Sequence, residues 1–172
     1  MTPEQIRAVM PYSVGRADQF AQPLTGAMVE FGIATSKRQA AFLAQVAEES
    51  GELRLLIEMA SGEAYEGRAD LGNTEPGDGP RFRGRGLLQI TGRANYDKCG
   101  LALGLTLVMT PTLLETPGPA ARSAAWFWER HGLNELADAD KFGELTRRIN
   151  GGFNHLDERL AYWLRARRAF GL

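Results

Sequence analysis

Apolar residues recur along this chain mostly at helical spacing, and Gly and Pro punctuate the intervals between the apolar runs. Thr2-Pro3-Glu4-Gln5 reads as a helix start, with Thr2 as N-cap, Pro3 at the first helical position and Gln5 closing a capping box. Pro11 keeps that helix short. A second helix is expected over 17–31, where Phe20, Leu24, Met28 and Phe31 share a face and Gly32 ends the run. Pro23 falls inside it and predicts either a split or a later start. Ser36-Lys37-Arg38-Gln39 has the form of another capping box. It opens a helix whose apolar stripe passes through Phe42 and Val46 and arrives, in phase, at Glu49.

From Ser61 to Gly86 the helical period is lost, and Gly, Asp, Asn, Glu and Pro dominate. Tyr65, Leu71 and Phe82 punctuate this stretch, which predicts an ordered wall with at most a small β-hairpin rather than a loose loop. Helical spacing resumes over 91–103, with Tyr96 and Leu101 expected inward, and Pro111, Pro117 and Pro119 mark the next boundary. Further helices are expected over 119–131, with the cluster Trp126-Phe127-Trp128, and over 139–149, broken by Asn150-Gly151-Gly152. A last one is expected over 155–170, burying Leu156, Leu160, Trp163 and Leu164. No repeat or linker interrupts the pattern, so residues 1–172 read as one mainly α domain. A chain of this length buries roughly 70% of its unfolded surface.

Composition changes this picture little: 44% hydrophobic and 24% charged residues are ordinary for a globular protein. Charge adds an asymmetry. Residues 1–80 carry six Lys/Arg and twelve Asp/Glu, whereas residues 81–172 carry fourteen and nine, so a net of −6 is followed by +5. The basic half ends in Arg165, Arg167 and Arg168, which suits an anionic surface such as a cell wall, but also a solvated helix face. Trp163 reads as core, so no exposed stacking platform accompanies those arginines, and nucleic acid is not expected as a partner. The single Cys99 excludes an internal disulfide framework, and with only His131 and His155 a zinc site or a Ser-His-Asp triad has little to draw on. No metal or other cofactor is expected. The N-terminus lacks a basic region followed by an apolar one, and no apolar run reaches membrane-spanning length, so a cytoplasmic origin without membrane insertion is expected.

The candidate chemistry lies at the end of the third helix. Glu49 belongs to the apolar stripe, whereas Glu48 is turned about 100° away. The last turn of a helix and apolar neighbours both disfavour a charged carboxylate, which suits a general acid. Cleavage of a glycosidic bond needs a second carboxyl group on the opposite face of the sugar. Glu52 is too near along the chain to reach across a cleft, while Glu58 follows the apolar anchor Leu55-Leu56-Ile57, and Glu63 and Glu66 lie in the wall. Spacing alone leaves the choice among these open. Gln89 and Thr91 alternate with Leu88 and Ile90, so in an extended segment both face one side, flanked by Gly84, Gly86 and Gly92.

Ala47-Glu48-Glu49-Ser50-Gly51, Tyr65-Glu66-Gly67-Arg68, the block from Phe82-Arg83-Gly84-Arg85-Gly86 to Asn95-Tyr96, and Ile149-Asn150-Gly151-Gly152 together resemble glycoside hydrolase family 19. Within it, the phage and prophage endolysins are closer than the plant chitinases. The resemblance covers about Ser36 to Arg168. It implies a lysozyme-like helical fold with two lobes around a cleft, and inverting hydrolysis of β-1,4 bonds in N-acetylated glycans. It implies Glu49 as general acid, Glu58 as general base and Thr91 as the residue that positions water. It further implies Gln89, Asn95, Tyr96, Asn150 and Arg159 at substrate-contacting positions. Glu48 departs from the family's pattern, which has a histidine there, and places a like charge beside Glu49.

The expected substrate is therefore the glycan strand of bacterial peptidoglycan, cut by a monomeric endolysin released from the cytoplasm to the wall. A chitinase acting on N-acetylglucosamine polymers is the rival within the same chemistry. A non-catalytic glycan-binding or phage structural module is the rival outside it.

Overall fold

The computed structural model describes residues 1–172, and its regular structure is helical, with no β-sheet. In chain order the helices are α1 (Pro3–Val9), α2 (Arg16–Glu30), α3 (Ser36–Glu49), α4 (Asp78–Arg81), α5 (Arg93–Leu103), α6 (Pro117–Arg130), α7 (Leu133–Asp138), α8 (Phe142–Asn150) and α9 (Leu156–Ala169). The capping box of α1 forms as the sequence implies: Gln5 N–H donates to the Thr2 hydroxyl at 3.3 Å and Thr2 N–H to Gln5 Oε1 at 2.9 Å. At α3 the cap is Thr35, whose hydroxyl accepts from Arg38 N–H at 3.3 Å, so Ser36 is the first helical residue and not the N-cap. The same side chain at either position can accept from an N–H three residues on, which makes a one-residue shift hard to read in advance.

Helix α2 runs unbroken through Pro23. Phe20 and Ala21 before it, and Leu24, Ala27 and Met28 after it, are all buried, and their packing outweighs one lost backbone hydrogen bond. The expected helix over 139–149 is instead two helices, α7 and α8, separated by Asp140, whose φ of 54° no helix accommodates. Leu101 and Leu164, both expected inward, are 78% and 53% exposed. In α5 the buried positions are Tyr96, Cys99, Gly100 and Leu103, and in α9 they are Arg159 and Ala166. Apolar identity marks a face only when phase agrees: in α9 Leu160 and Trp163 pack against the core as expected, but the buried positions are Arg159 and Ala166.

Two apolar clusters define two lobes. The larger gathers side chains from α1, α2, α3, α6, α7, α8 and α9, centred on α3. Ala40 to Ala47 are buried without exception, so α3 is enclosed on every side rather than along one stripe. Phe42 meets Trp128 edge to face at 5.3 Å, and the indole N–H of Trp128 donates to Asn134 at 2.9 Å. The smaller cluster holds Phe82, Ile90, Tyr96, Cys99, Leu103, Leu107, Leu114 and Trp126. Cys99 is fully buried there, and burial pushes its thiol up to about 12, as suits an inert core residue.

The wall expected over 61–86 belongs to the small lobe and is ordered but carries no hairpin. It is built from 3₁₀ turns at Glu63–Tyr65 and Ala69–Leu71 and from α4. The β-like pairing lies later and is minimal, with Arg85 bridging Ile57 on one side and Ile90 on the other.

Candidate active site

Glu49 is the last residue of α3, and the chain turns away from it sharply. Gly51, Glu52 and Leu53 all have positive φ, a conformation that costs energy at the two that are not glycine. Glu52 holds the turn: its buried carboxylate accepts from Tyr12 N–H and, at 2.9 Å, from the Tyr162 hydroxyl. Burial, reinforced by that carboxylate, pushes the Tyr162 hydroxyl up to about 12, so it stays a donor at any ordinary pH. The turn delivers Leu56 into the large core and leaves Leu55, 46% exposed, on the cleft. Of the expected apolar anchor only Leu56 enters the core, while Ile57 lines the cavity beside Leu55.

Glu58 is then registered against the glycine-rich segment. Its N–H donates to Gly84 O at 3.0 Å, and Gly86 N–H donates to Leu56 O at 2.9 Å. One carboxylate oxygen of Glu58 accepts from the Tyr65 hydroxyl at 3.0 Å, while the other is buried without a protein partner. Burial, and next the Glu58 bond, raise the Tyr65 hydroxyl above its ordinary value of 10.0. Glu66 is occupied elsewhere, its two oxygens accepting from Gly77 N–H and Gly79 N–H at 2.6 and 2.7 Å, and Glu63 is exposed at the start of a 3₁₀ turn. Neither lines the cleft.

Residues 86–89 form a turn and not the extended segment expected from alternation. Gln89 has a φ of 40°, and its amide N–H donates to Gly86 O at 3.0 Å, leaving its Oε1 buried and unpartnered. The turn still brings Gln89 and Thr91 to one side. Gly84 shows how close the groups come: a Cβ there would overlap Gln89 Oε1 and lie 2.9 Å from Glu58 Oε2 and 3.2 Å from Thr91 Oγ1. Three polar side chains thus converge over a position that only glycine leaves open.

Glu49, Glu58, Tyr65, Gln89 and Thr91 line a single open cavity of about 330 Å³, with Leu55 and Met59 at its rim. A second cavity of about 280 Å³ shares Gln89 and Thr91 with it and continues past Asn95 to Trp126, Arg130 and His131. Together they make one cleft. A third hollow of about 350 Å³ along α5 has only Asp97 as an ionisable acid and shares no residue with the cleft. No group of three or more His, Cys, Asp or Glu side chains is arranged to hold a metal ion.

Three of the expected substrate contacts lie elsewhere. Tyr96 is fully buried in the small lobe, donating to Arg83 O at 2.7 Å and accepting from Arg85 at 3.1 Å. Burial pushes its hydroxyl up to about 12. Arg159 is 4% exposed and works beneath the surface. It donates to Glu49 at 2.6 Å, to Gln45 Oε1 and to Asn154 O, while Gln45 in turn donates to the Thr146 hydroxyl at 2.7 Å. The guanidinium meets Glu49 where apolar neighbours were expected. Glu48 is likewise answered by a basic group, with His155 Nδ1 at 2.9 Å from its carboxylate. Asn150 closes its own loop, through Gly152 N–H at 2.8 Å and Asn154 O at 3.2 Å, and lines neither cavity. Asn95 does line the cleft, and its amide donates to Thr91 O at 2.8 Å.

Sequence reasoning missed Tyr65 as a partner of Glu58 and the Thr146–Gln45–Arg159 chain behind Glu49. Gln45 was the available signal: a lone polar residue in an eight-residue buried run must find a partner.

A family model described as chitinase class I matches residues 21–137. A glycosyl hydrolase family 19 domain-containing protein of Haemophilus influenzae is 37% identical over 102 residues, covering 59% of this chain and 49% of that protein. An endochitinase of Arabidopsis thaliana is 37% identical over 122 residues, covering 70% of this chain and 42% of its own length. The chain thus matches less than half the length of these relatives. Among solved structures, chitinase C from Streptomyces griseus matches with a TM-score of 0.80 at 25% identity, over 99% of this chain and 76% of that one. A bacterial family 19 chitinase shares the fold with a TM-score of 0.82 at 23% identity, over 99% of this chain and 95% of that one.

Proposed function

The chain belongs to glycoside hydrolase family 19, and we propose that it hydrolyses β-1,4 bonds of an N-acetylated glycan, with Glu49 as general acid and Glu58 as general base. The observation that carries this reading is that Glu49 and Glu58 are the two carboxyl groups lining one cavity, together with Thr91 and Gln89. Glu49 gives its proton to the leaving glycosidic oxygen. Glu58 takes a proton from a water on the opposite face of the sugar, and the water's oxygen bonds to the anomeric carbon as the glycosidic bond breaks. Thr91 orients that water. Tyr65 donates to one oxygen of Glu58 at 3.0 Å and so fixes how the carboxylate sits at the cavity. Once Glu49 has lost its proton, Arg159 stands 2.6 Å away to stabilise the carboxylate, supported by Gln45. Gln89 lines the cavity between Glu58 and Thr91, and its amide oxygen, buried against Gly84, has no partner within the protein.

For the substrate we propose peptidoglycan glycan strands, cut by the chain acting as a monomer made in the cytoplasm and released to the wall. The resemblance of the four motifs, taken together, to phage and prophage endolysins supports this reading. The endochitinase names of the plant relatives favour a second one, hydrolysis of chitin. Mass spectrometry of products from both polymers decides between them: muramic-acid-containing fragments are expected, and cleavage of chitin alone would remove the wall reading. Glu49→Gln should abolish the fall in turbidity of a wall suspension while leaving the unfolding transition in place. A fully active Glu49→Gln protein would end the proposal.

A further inference from the structure

The two halves of the cleft differ in charge. The half with Glu49 and Glu58 has no Arg, Lys or His on its lining, whereas the half that continues past Asn95 has no Asp or Glu and ends in Arg130 and His131. We infer that Arg130 and His131 form a subsite for a carboxylate carried by the glycan. The inference rests on the proposed glycosidase reading and names the class of glycan that reading takes.

Arg130 is the last residue of α6, where a cation also suits the negative end of the helix. The helix end accounts for a charge; it does not require that charge to line the cleft. The Arg130 guanidinium lies 5.7 Å from the ring of Trp126, a contact that orients it, and it forms no ion pair with the protein. Every other arginine of the chain lies outside the cleft lining. His131 is fixed as well. Its ring stacks on Phe127 at 3.9 Å, and Nδ1 lies 2.7 Å from Phe127 O. A carbonyl only accepts, so Nδ1 carries the hydrogen and Nε2 is the nitrogen left for a ligand. A planar guanidinium oriented on a tryptophan beside an anchored imidazole presents donors in the fork that a carboxylate fits.

Both halves share Gln89 and Thr91, so a glycan whose scissile bond lies over Glu58 has its neighbouring sugar beside Asn95. A polymer of N-acetylglucosamine brings no charge there. An N-acetylmuramic acid unit brings its lactyl carboxylate when the peptide stem is absent, and the carboxylates of the stem when it is present. The chemistry Arg130 meets is the same in both cases, and the site separates a charged wall glycan from neutral chitin.

The test is equilibrium binding by calorimetry, with the full chain carrying Glu49→Gln so that no turnover intervenes. Three ligands of equal sugar length are compared: chitotetraose, a stem-free tetrasaccharide of alternating N-acetylglucosamine and N-acetylmuramic acid, and the same tetrasaccharide with its stem peptides. A charged ligand should bind about tenfold more tightly than chitotetraose, the order expected for one charge-assisted contact. Adding Arg130→Gln should remove that difference, and adding Arg130→Glu should reverse it. Tighter binding of the stem-free ligand assigns the contact to the lactyl carboxylate, and tighter binding of the stem-bearing ligand alone assigns it to the peptide. Equal binding of charged and neutral ligands, or a preference that survives Arg130→Glu, overturns the inference. A chain that binds charged glycan through Arg130 yet cleaves neither polymer would sink the hydrolytic reading and leave the subsite standing.

Discussion

The two lobes are held together by different means. The large lobe is a continuous apolar cluster of 31 buried residues around α3, against 8 in the small lobe. What the small lobe lacks in core it makes up with polar pins. Asp78 is 2% exposed and paired with Arg93, Glu66 ties Gly77 and Gly79, and Asn73 joins Tyr65 O to Arg93 N–H. The proposed acid is mounted on the first kind of structure; Glu58 and Gln89 lie where the two meet, near Leu56 and Leu88 of the large cluster, and Thr91 follows Ile90 of the small one. A helix end in a packed core fixes one carboxyl group, and a net of directional bonds fixes the groups facing it.

The contrast breaks most visibly at its two strongest points. Trp128→Ala removes a fully buried indole and should cost about 3–5 kcal/mol in urea unfolding, with amide protection lost throughout α2, α3 and α6. Asp78→Asn leaves Arg93 facing a neutral amide and should cost about 3 kcal/mol. Here protection should fail in residues 61–92 and α5 while α3 keeps its own; uniform loss across both lobes would erase the distinction. Acid should reproduce the second pattern. The Arg93 bond holds the Asp78 carboxyl below its ordinary 3.8, so its stabilisation is fully present above that value and is lost as the pH falls below it. Asp138 and Asp140 on the large lobe are also held low, by Arg38 and Lys37, but they are about 40% exposed and solvent-screened. On acidification below pH 4 the amides of the small lobe should therefore exchange first.

The same contrast explains what could be read from the sequence. Helices of the large lobe announce themselves, because burial of one face imposes a 3.6-residue period; α3 is buried on every side, so phase alone does not separate Glu49 from Glu48, whose side chains are 21% and 18% exposed. Arg159 was in reach of no such argument: it sits on the buried face of α9 because Glu49 and Gln45, 110 and 114 residues away, need its charge. In the small lobe the period fails. Alternation suggested an extended segment at Leu88–Thr91, yet Gln89 has positive φ and the segment is a turn. The polar side chains still reached the cleft, because a tight turn gathers neighbours much as one face of a strand does. Tyr96 shows the converse: its motif position is legible, but only the fold shows that Arg85 and Arg83 O satisfy its hydroxyl inside the core.

Smaller effects sharpen the comparison at the site. Gly84→Ala puts a methyl group where Glu58, Gln89 and Thr91 converge. It should reduce kcat about a hundredfold, equivalent to about 2.7 kcal/mol, with an urea midpoint close to that of the parent. A variant that unfolds early instead would mean that the three side chains cannot yield without the small lobe yielding with them.

Tyr65→Phe is the finest probe, since it deletes one hydroxyl and leaves the ring. That hydroxyl donates to Glu58 at 3.0 Å and is the only side-chain hydrogen bond the carboxylate makes to the protein. A bond to a charged acceptor contributes about 1.5 kcal/mol, so its loss should lower kcat about tenfold. Tyr65 acts through Glu58 and is a positioning residue, so KM should hold while kcat falls, whereas general loosening of the wall would raise KM as well. If neither parameter moves, the backbone bond from Glu58 N–H to Gly84 O suffices to aim the carboxylate. The small lobe would then position its chemistry as the large lobe does, through the main chain, and the polar pins would serve stability alone.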